Sequence, residues 1–244
     1  MSDQQFKRVL LKLGGESLSE IEGGEAGGGV IVQEAVSRTA DHVVSLRAHG
    51  AEIAIVLGGG NLMRGAKLAG ADLQRTTADG MGMLATVINA LALGDAIQAR
   101  GVEARVMTPF SIGGLTERFS SPIARRYLDA GFVVLLAGGT GNPFFTTDTN
   151  AALRAAEVGA HVVVKATKVD GVYSADPMKD PDAVRYERLT YREVIDRNLG
   201  VMDITAITLC METNTPVVVC DLWQDGALAG VLAGDTSMGT WIGN

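Results

Sequence analysis

The chain of 244 residues has two cysteines, three histidines, six prolines and only 5% aromatic residues. Each scarcity excludes a chemistry. Cys210 and Cys220 have neither metal-ligand nor redox-motif spacing and sit in apolar surroundings, so they read as buried thiols in a reducing compartment. No H-E-x-x-H, no cysteine pair and only three histidines argue against a zinc enzyme. G-x-S-x-G is missing, which removes the commonest serine-hydrolase reading, and so are the Walker pattern G-x-x-x-x-G-K-[ST] and a protein-kinase catalytic loop. Any phosphoryl transfer must use another fold. The net charge is −7 and there is no basic tract, so a long polyanion would be repelled and nucleic acid is not an expected partner. A mononucleotide remains allowed, because a few local cations and backbone donors hold its phosphates. Residues 1–7 are polar, without a secretory signal, and no apolar run approaches the ~18 residues of a membrane span. The expectation is a cytoplasmic protein with no membrane partner.

What is present suits one sizeable α/β domain: hydrophobic residues make up 47% and charged residues 20%. Stretches at 9–13, 52–57, 103–107, 132–137, 161–165 and 216–220 read as strands, 132–137 as an unbroken apolar run, with helical spacing between most of them, including 30–49. That alternation predicts a mostly parallel sheet covered on both faces. Residues 78–99 read as a helix apolar on most sides, either deeply buried or in a subunit interface. Within it, 80–85 match G-x-G-x-x-A, but no strand precedes them, so the match does not signal NAD. Asp79, at the helix start, is either a cap or a ligand contact.

Glycines and lysines gather at strand ends. Gly14 and Gly15 follow Lys12, whose ammonium either snorkels to water or sits beside a bound anion. Gly58, Gly59 and Gly60 close the next strand, with Arg64 behind them. The stretch 140–160, TGNPFFTTDTNAALRAAEVGA, leaves the strand at 132–137 and enters an Ala-rich helix. One of Thr146, Thr147 and Asp148 should cap that helix, leaving N–H groups that favour phosphate, though an ordinary strand-to-helix connection carries the same turn chemistry. Phe144 and Phe145 offer flat surface for a base or for packing. The segment 19–29, with five glycines, reads as mobile.

In this order, KLGGES at 12–17, GGGNLMRG at 58–65, DGMGMLAT at 79–86, TGNPFFTTD at 140–148, KATKVDGVYSADP at 165–177 and VMD at 201–203 resemble the bacterial uridylate kinases of the amino-acid-kinase superfamily. The resemblance covers nearly the whole chain. It implies a three-layer α/β/α sandwich around a mostly parallel sheet, forming a single domain over 1–244, with 1–160 binding the acceptor and 161–244 binding ATP. It implies transfer of the γ-phosphoryl of ATP to UMP, with Mg²⁺ carried on the nucleotide, in a cytoplasmic homohexamer. ATP would be held by Lys12, Leu13, Gly14, Gly15, Gly60, Arg64, Thr167, Tyr173 and Asp176. UMP would be held by Gly59, Asp79, Thr140, Gly141, Asn142, Pro143, Phe144, Phe145, Thr146 and Thr147. Lys12, Arg64 and Lys165 would supply positive charge, with Asp148 and Asp203 positioning the lysines or the metal's waters. GTP as activator and UTP as inhibitor follow from the same resemblance, although 19–29 and 113–121 depart from the family's wording. The other readings are a superfamily kinase for a small acid, and a non-catalytic nucleotide-binding storage or sensor protein on the same fold.

Overall fold

A computed structural model describes residues 6–19, 30–63, 72–175, 177, 179–180, 182–221 and 223–244. The 20–29 part of the glycine-rich segment, Arg64 and Asp176 lie outside these residues.

Nine strands form one sheet in the order β4-β3-β5-β2-β1-β6-β10-β11-β9. Its centre is built from β1 (Arg8–Leu13), β2 (Glu52–Leu57), β5 (Val133–Leu136), β6 (Val162–Thr167) and β10 (Val217–Asp221), all parallel to their neighbours in this group. These are the apolar runs of the sequence, and burial on both faces is what makes them continuous. One flank adds β3 (Ala104–Thr108) and β4 (Glu117–Arg118). The other adds β11 (Thr240–Gly243), antiparallel to β10, and β9 (Arg188–Thr190). A separate hairpin pairs β7 (Val172–Tyr173) with β8 (Arg185–Tyr186).

Two apolar layers flank the sheet. On one side Val9, Leu11 and Leu13 of β1 meet α1 (Gln33–Ala48), α2 (Arg75–Gln98) and α7 (Ala227–Leu232). On the other, Leu10 meets residues from α3 (Ser121–Asp129), α4 (Thr147–Val158), α5 (Tyr191–Asp196) and α6 (Ile204–Glu212). The expected three-layer α/β/α sandwich is therefore present.

Three expectations change. Helix α2 begins at Arg75, because Arg75, Thr76 and Thr77 carry no apolar period yet continue the helix. Asp79 thus lies one turn inside and is not a cap; Gln74 holds that position with no side-chain capping bond. An 18-residue window of α2 has a mean hydropathy of 1.5, so among the described residues there is one helix long and apolar enough to cross a membrane. Its inner face, with Val87, Ala90, Leu93 and Ile97, belongs to the core against α1 and β3. Leu84 and Ile88 on the outer face are 50% and 47% exposed.

Cys210 and Cys220 are buried free thiols, and burial pushes both up to about 12.

Candidate active site

Strand alternation decides where the two lysines go. Lys12 lies two residues beyond Leu10 and so faces the α4 layer. Lys165 lies two beyond Val163 and faces the same way. Because β1 and β6 run parallel with Lys12 opposite Lys165, the two side chains emerge side by side near the strands' carboxyl ends.

Asp148, in the first turn of α4, reaches both. Its Oδ1 lies 2.8 Å from Lys12 Nζ and its Oδ2 2.9 Å from Lys165 Nζ. Lys165 also donates to the Val201 carbonyl. All three side chains are largely buried, at 11–16% exposure. Burial pushes the Asp148 carboxyl up, but the charges of Lys12 and Lys165 outweigh it and hold the group below the usual carboxylate range. Burial moves the Lys165 ammonium below the usual lysine range, with Asp148 opposing the shift. Two ammonium groups against one carboxylate leave the cluster short of negative charge. An anion entering from solvent would complete it.

The glycine turns around this cluster fit one another. A Cβ on Gly15 would stand 3.0 Å from Gly58 O and 2.2 Å from Asn61 Oδ1, and one on Gly59 would stand 2.8 Å from the Ala85 Cβ. Gly59 after β2 is therefore needed for packing alone, and a Cβ on Gly58 would stand 3.0 Å from Gly15 N. Asn89, fully buried in α2, donates to Gly58 O at 2.7 Å and to Asn61 Oδ1 at 2.8 Å, tying the turn after β2 to the helix.

The segment from Thr140 to Thr147 runs from β5 into α4. Thr146 is the N-cap, accepting from Asp148 N at 3.0 Å and Thr149 N at 3.2 Å; such a cap contributes about 1 kcal/mol. Phe144 has φ +72°, a left-handed conformation uncommon for a bulky residue. Its N–H donates to Asp79 Oδ2 at 2.8 Å, and Arg75 Nε donates to both Asp79 oxygens. Phe144 and Phe145 are 64% and 53% exposed. Thr140, Asn142 and Phe145 also line a groove of about 560 Å³ against α6.

Asp203, grouped with Asp148 on sequence, does different work. It caps α6 by accepting from Ala206 N at 3.0 Å and also accepts from the Thr146 and Thr149 hydroxyls. Its oxygens bind the starts of α4 and α6 together, so it acts on Lys165 through its field alone.

Thr167 and Tyr173 line a cavity of about 590 Å³ that opens from Lys165. A smaller one, about 210 Å³, lies between Lys12, Gly14, Lys165 and Trp223. The larger is nucleotide-sized. Another cavity, about 660 Å³ between Phe6, β9 and β11, holds none of the predicted site residues. Leu13 has its side chain wholly in the core, so only its backbone is open to a ligand. Sequence reasoning missed Arg75 and Asn89; a lone asparagine among aliphatic residues of α2 was the signal for the second.

The fold is an α/β sandwich with a buried lysine pair at the carboxyl edge of its parallel strands. The chain belongs to the amino acid kinase family, whose model matches residues 7–221. Its relatives include the uridylate kinase of Ectopseudomonas mendocina, 52% identical over 94% of this chain and 91% of that one. The uridylate kinase of Bradyrhizobium diazoefficiens is 48% identical over 96% of both. Among solved structures, the UMP kinase from Bacillus anthracis superposes with a TM-score of 0.91 at 33% identity, covering 98% of this chain and 96% of that one.

Proposed function

We infer that this chain is a UMP kinase, transferring the γ-phosphoryl group of ATP to UMP to give UDP and ADP. The observation that carries the reading is the Lys12–Asp148–Lys165 cluster, a buried cation pair at the carboxyl edge of a parallel sheet. A phosphate oxygen of UMP attacks the γ-phosphorus while the bond to the β,γ-bridging oxygen breaks and ADP leaves with its electron pair. The attacking oxygen is already anionic, so no general base is required. Lys12 and Lys165 neutralise charge on the transferring group, and Asp148 holds them at a fixed spacing.

Roughly, residues 1–160 carry the acceptor and 161–244 ATP, with the turns after β1 and β2 reaching across to ATP. Lys12, Gly14, Gly15, Gly60, Thr167 and Tyr173 take ATP, together with the Leu13 backbone; Gly59, Asp79 and the Thr140 to Thr147 segment take UMP. This is supported by Thr167 and Tyr173 sharing a cavity with Lys165, and by Asp79 bonding the 140–147 segment. Arg64 and Asp176 keep the ATP roles that the motif resemblance gives them.

Both Asp148 oxygens face lysines, and no group of three acidic, histidine or cysteine side chains converges among the described residues. That donor set fits Mg²⁺ carried on the nucleotide phosphates. When bound, the metal supplies further charge neutralisation on those phosphates. The cytoplasmic location, the homohexamer, activation by GTP and inhibition by UTP belong to the same proposal and rest on the resemblance; the exposed Leu84 and Ile88 give the assembly a candidate face.

The test is a coupled assay of ATP with UMP, CMP and dUMP, with and without GTP. UMP should be strongly preferred over CMP, because a site that bonds one base edge leaves buried groups unpaired with the other. Equal turnover of UMP and CMP would overturn the assignment.

A further inference from the structure

Arg75 stands where local helix energetics oppose it. It is the first residue of α2, so its charge meets the positive end of the helix dipole. Its partner Asp79 follows four residues later, and an acid C-terminal to its base is the weaker order for such a pair. The compensation lies outside the helix. Arg75 Nε donates to Asp79 Oδ1 at 2.8 Å and Oδ2 at 2.9 Å, while Oδ2 also accepts the Phe144 N–H at 2.8 Å. The same guanidinium sits 5.5 Å from the Phe144 ring centroid. Arg75 thus touches both the carboxylate that fastens the loop and the residue that is fastened.

That residue needs fastening. A left-handed backbone at a phenylalanine persists only when its surroundings hold it. The charged bond to Asp79 supplies the hold, and it requires Asp79 to keep one rotamer. Asp79 is 13% exposed at its side chain and Arg75 is 46% exposed, so the inner partner is positioned by the outer one.

We propose that Arg75 is a positioning residue of the acceptor site: it fixes Asp79 so that the 140–147 segment is held at Phe144 before the pyrimidine monophosphate arrives. This rests on the UMP kinase reading above. Without Arg75 the segment must be ordered at the expense of acceptor binding, whereas the lysine cluster and the ATP cavity are untouched.

The experiment compares wild type with Arg75→Gln and Arg75→Lys. Arg75→Gln should raise KM for UMP about tenfold, as ordering costs fall on binding, while kcat and KM for ATP move less than about twofold. Arg75→Lys keeps the charge but loses the planar contact, and should recover part of the loss. Hydrogen exchange of the ligand-free protein provides a second arm, in which peptides covering 140–147 exchange several-fold faster in Arg75→Gln and unchanged elsewhere. An unaltered KM for UMP, an equal rise in KM for ATP, or unchanged exchange over 140–147 would each overturn the proposal. If wild type does not phosphorylate UMP, the functional reading fails while the exchange arm still decides whether Arg75 holds the segment.

Discussion

Lys12 and Lys165 stand opposite each other in the register of β1 and β6, and the two oxygens of Asp148 are divided between their ammonium groups. The pair is therefore preset by the sheet, with no dependence on a flexible loop. On the proposed mechanism, a substrate phosphate meets charges whose spacing is already fixed.

Lys12→Met should lower kcat by roughly 10² or more, as losing one preorganised electrostatic partner does, while ATP affinity falls much less. Methionine keeps most of the stem volume, so the fold should survive. Coupled assay and calorimetry on one folded sample separate the two effects. Near-normal kcat would return Lys12 to a packing role.

Asp148→Asn leaves two largely buried ammonium groups without their counter-charge. Stability should drop by about 3 kcal/mol, the usual scale for stripping one partner from a buried ion pair. Added ATP should then raise the melting temperature more in Asp148→Asn than in wild type, because phosphate replaces the missing charge. Equal ATP-induced shifts in the two proteins would contradict this account.

The pH dependence has opposite signs for stability and activity. Lys165 holds its proton less tightly folded than unfolded, so between its lowered pKa and the ordinary 10.5 the unfolded chain binds more protons and stability rises with pH. Asp148 acts at the acid end: its contribution is complete above the ordinary 3.8 and is lost as pH falls through its lower folded value. The proposed mechanism needs Lys165 charged when substrate arrives, so kcat/KM, which reports the free enzyme, should fall with rising pH before the ordinary lysine range is reached. Lys165→Arg, which cannot lose its charge, should flatten that alkaline limb in a pH–rate profile even if its maximum rate is lower.

The outer face of α2 provides a test of assembly. Leu91 packs partly against the core, so a charge there would disturb the fold and the interface together. Leu84 and Ile88 are exposed in the single chain, so Leu84→Asp or Ile88→Asp should leave the fold intact. Light scattering should show a smaller assembled mass for either variant. A mass unchanged from wild type would move the interface elsewhere.

The centre of the fold is legible because burial on both faces writes itself as uninterrupted aliphatic residues, and β2 coincides with its apolar run from Glu52 to Leu57. Strands β9 and β11 are not legible: Arg188, Thr190, Gly243 and their neighbours have no two-residue apolar period, and β11 is held by pairing to β10. At the site, lysines followed by glycines are conspicuous in one dimension. The bond from Phe144 to Asp79 joins residues far apart in the chain, and the division of labour between Asp148 and Asp203 depends on which helix start each carboxylate reaches. Neither leaves a local pattern.

Both native thiols are buried, and at ordinary pH their burial keeps them protonated and unreactive. A single cysteine introduced at an exposed position such as Phe145 would therefore be the one accessible thiol an alkylating fluorophore meets. The movements of the 140–147 segment can then be followed by light emission from a chain that needs no prior removal of its own cysteines.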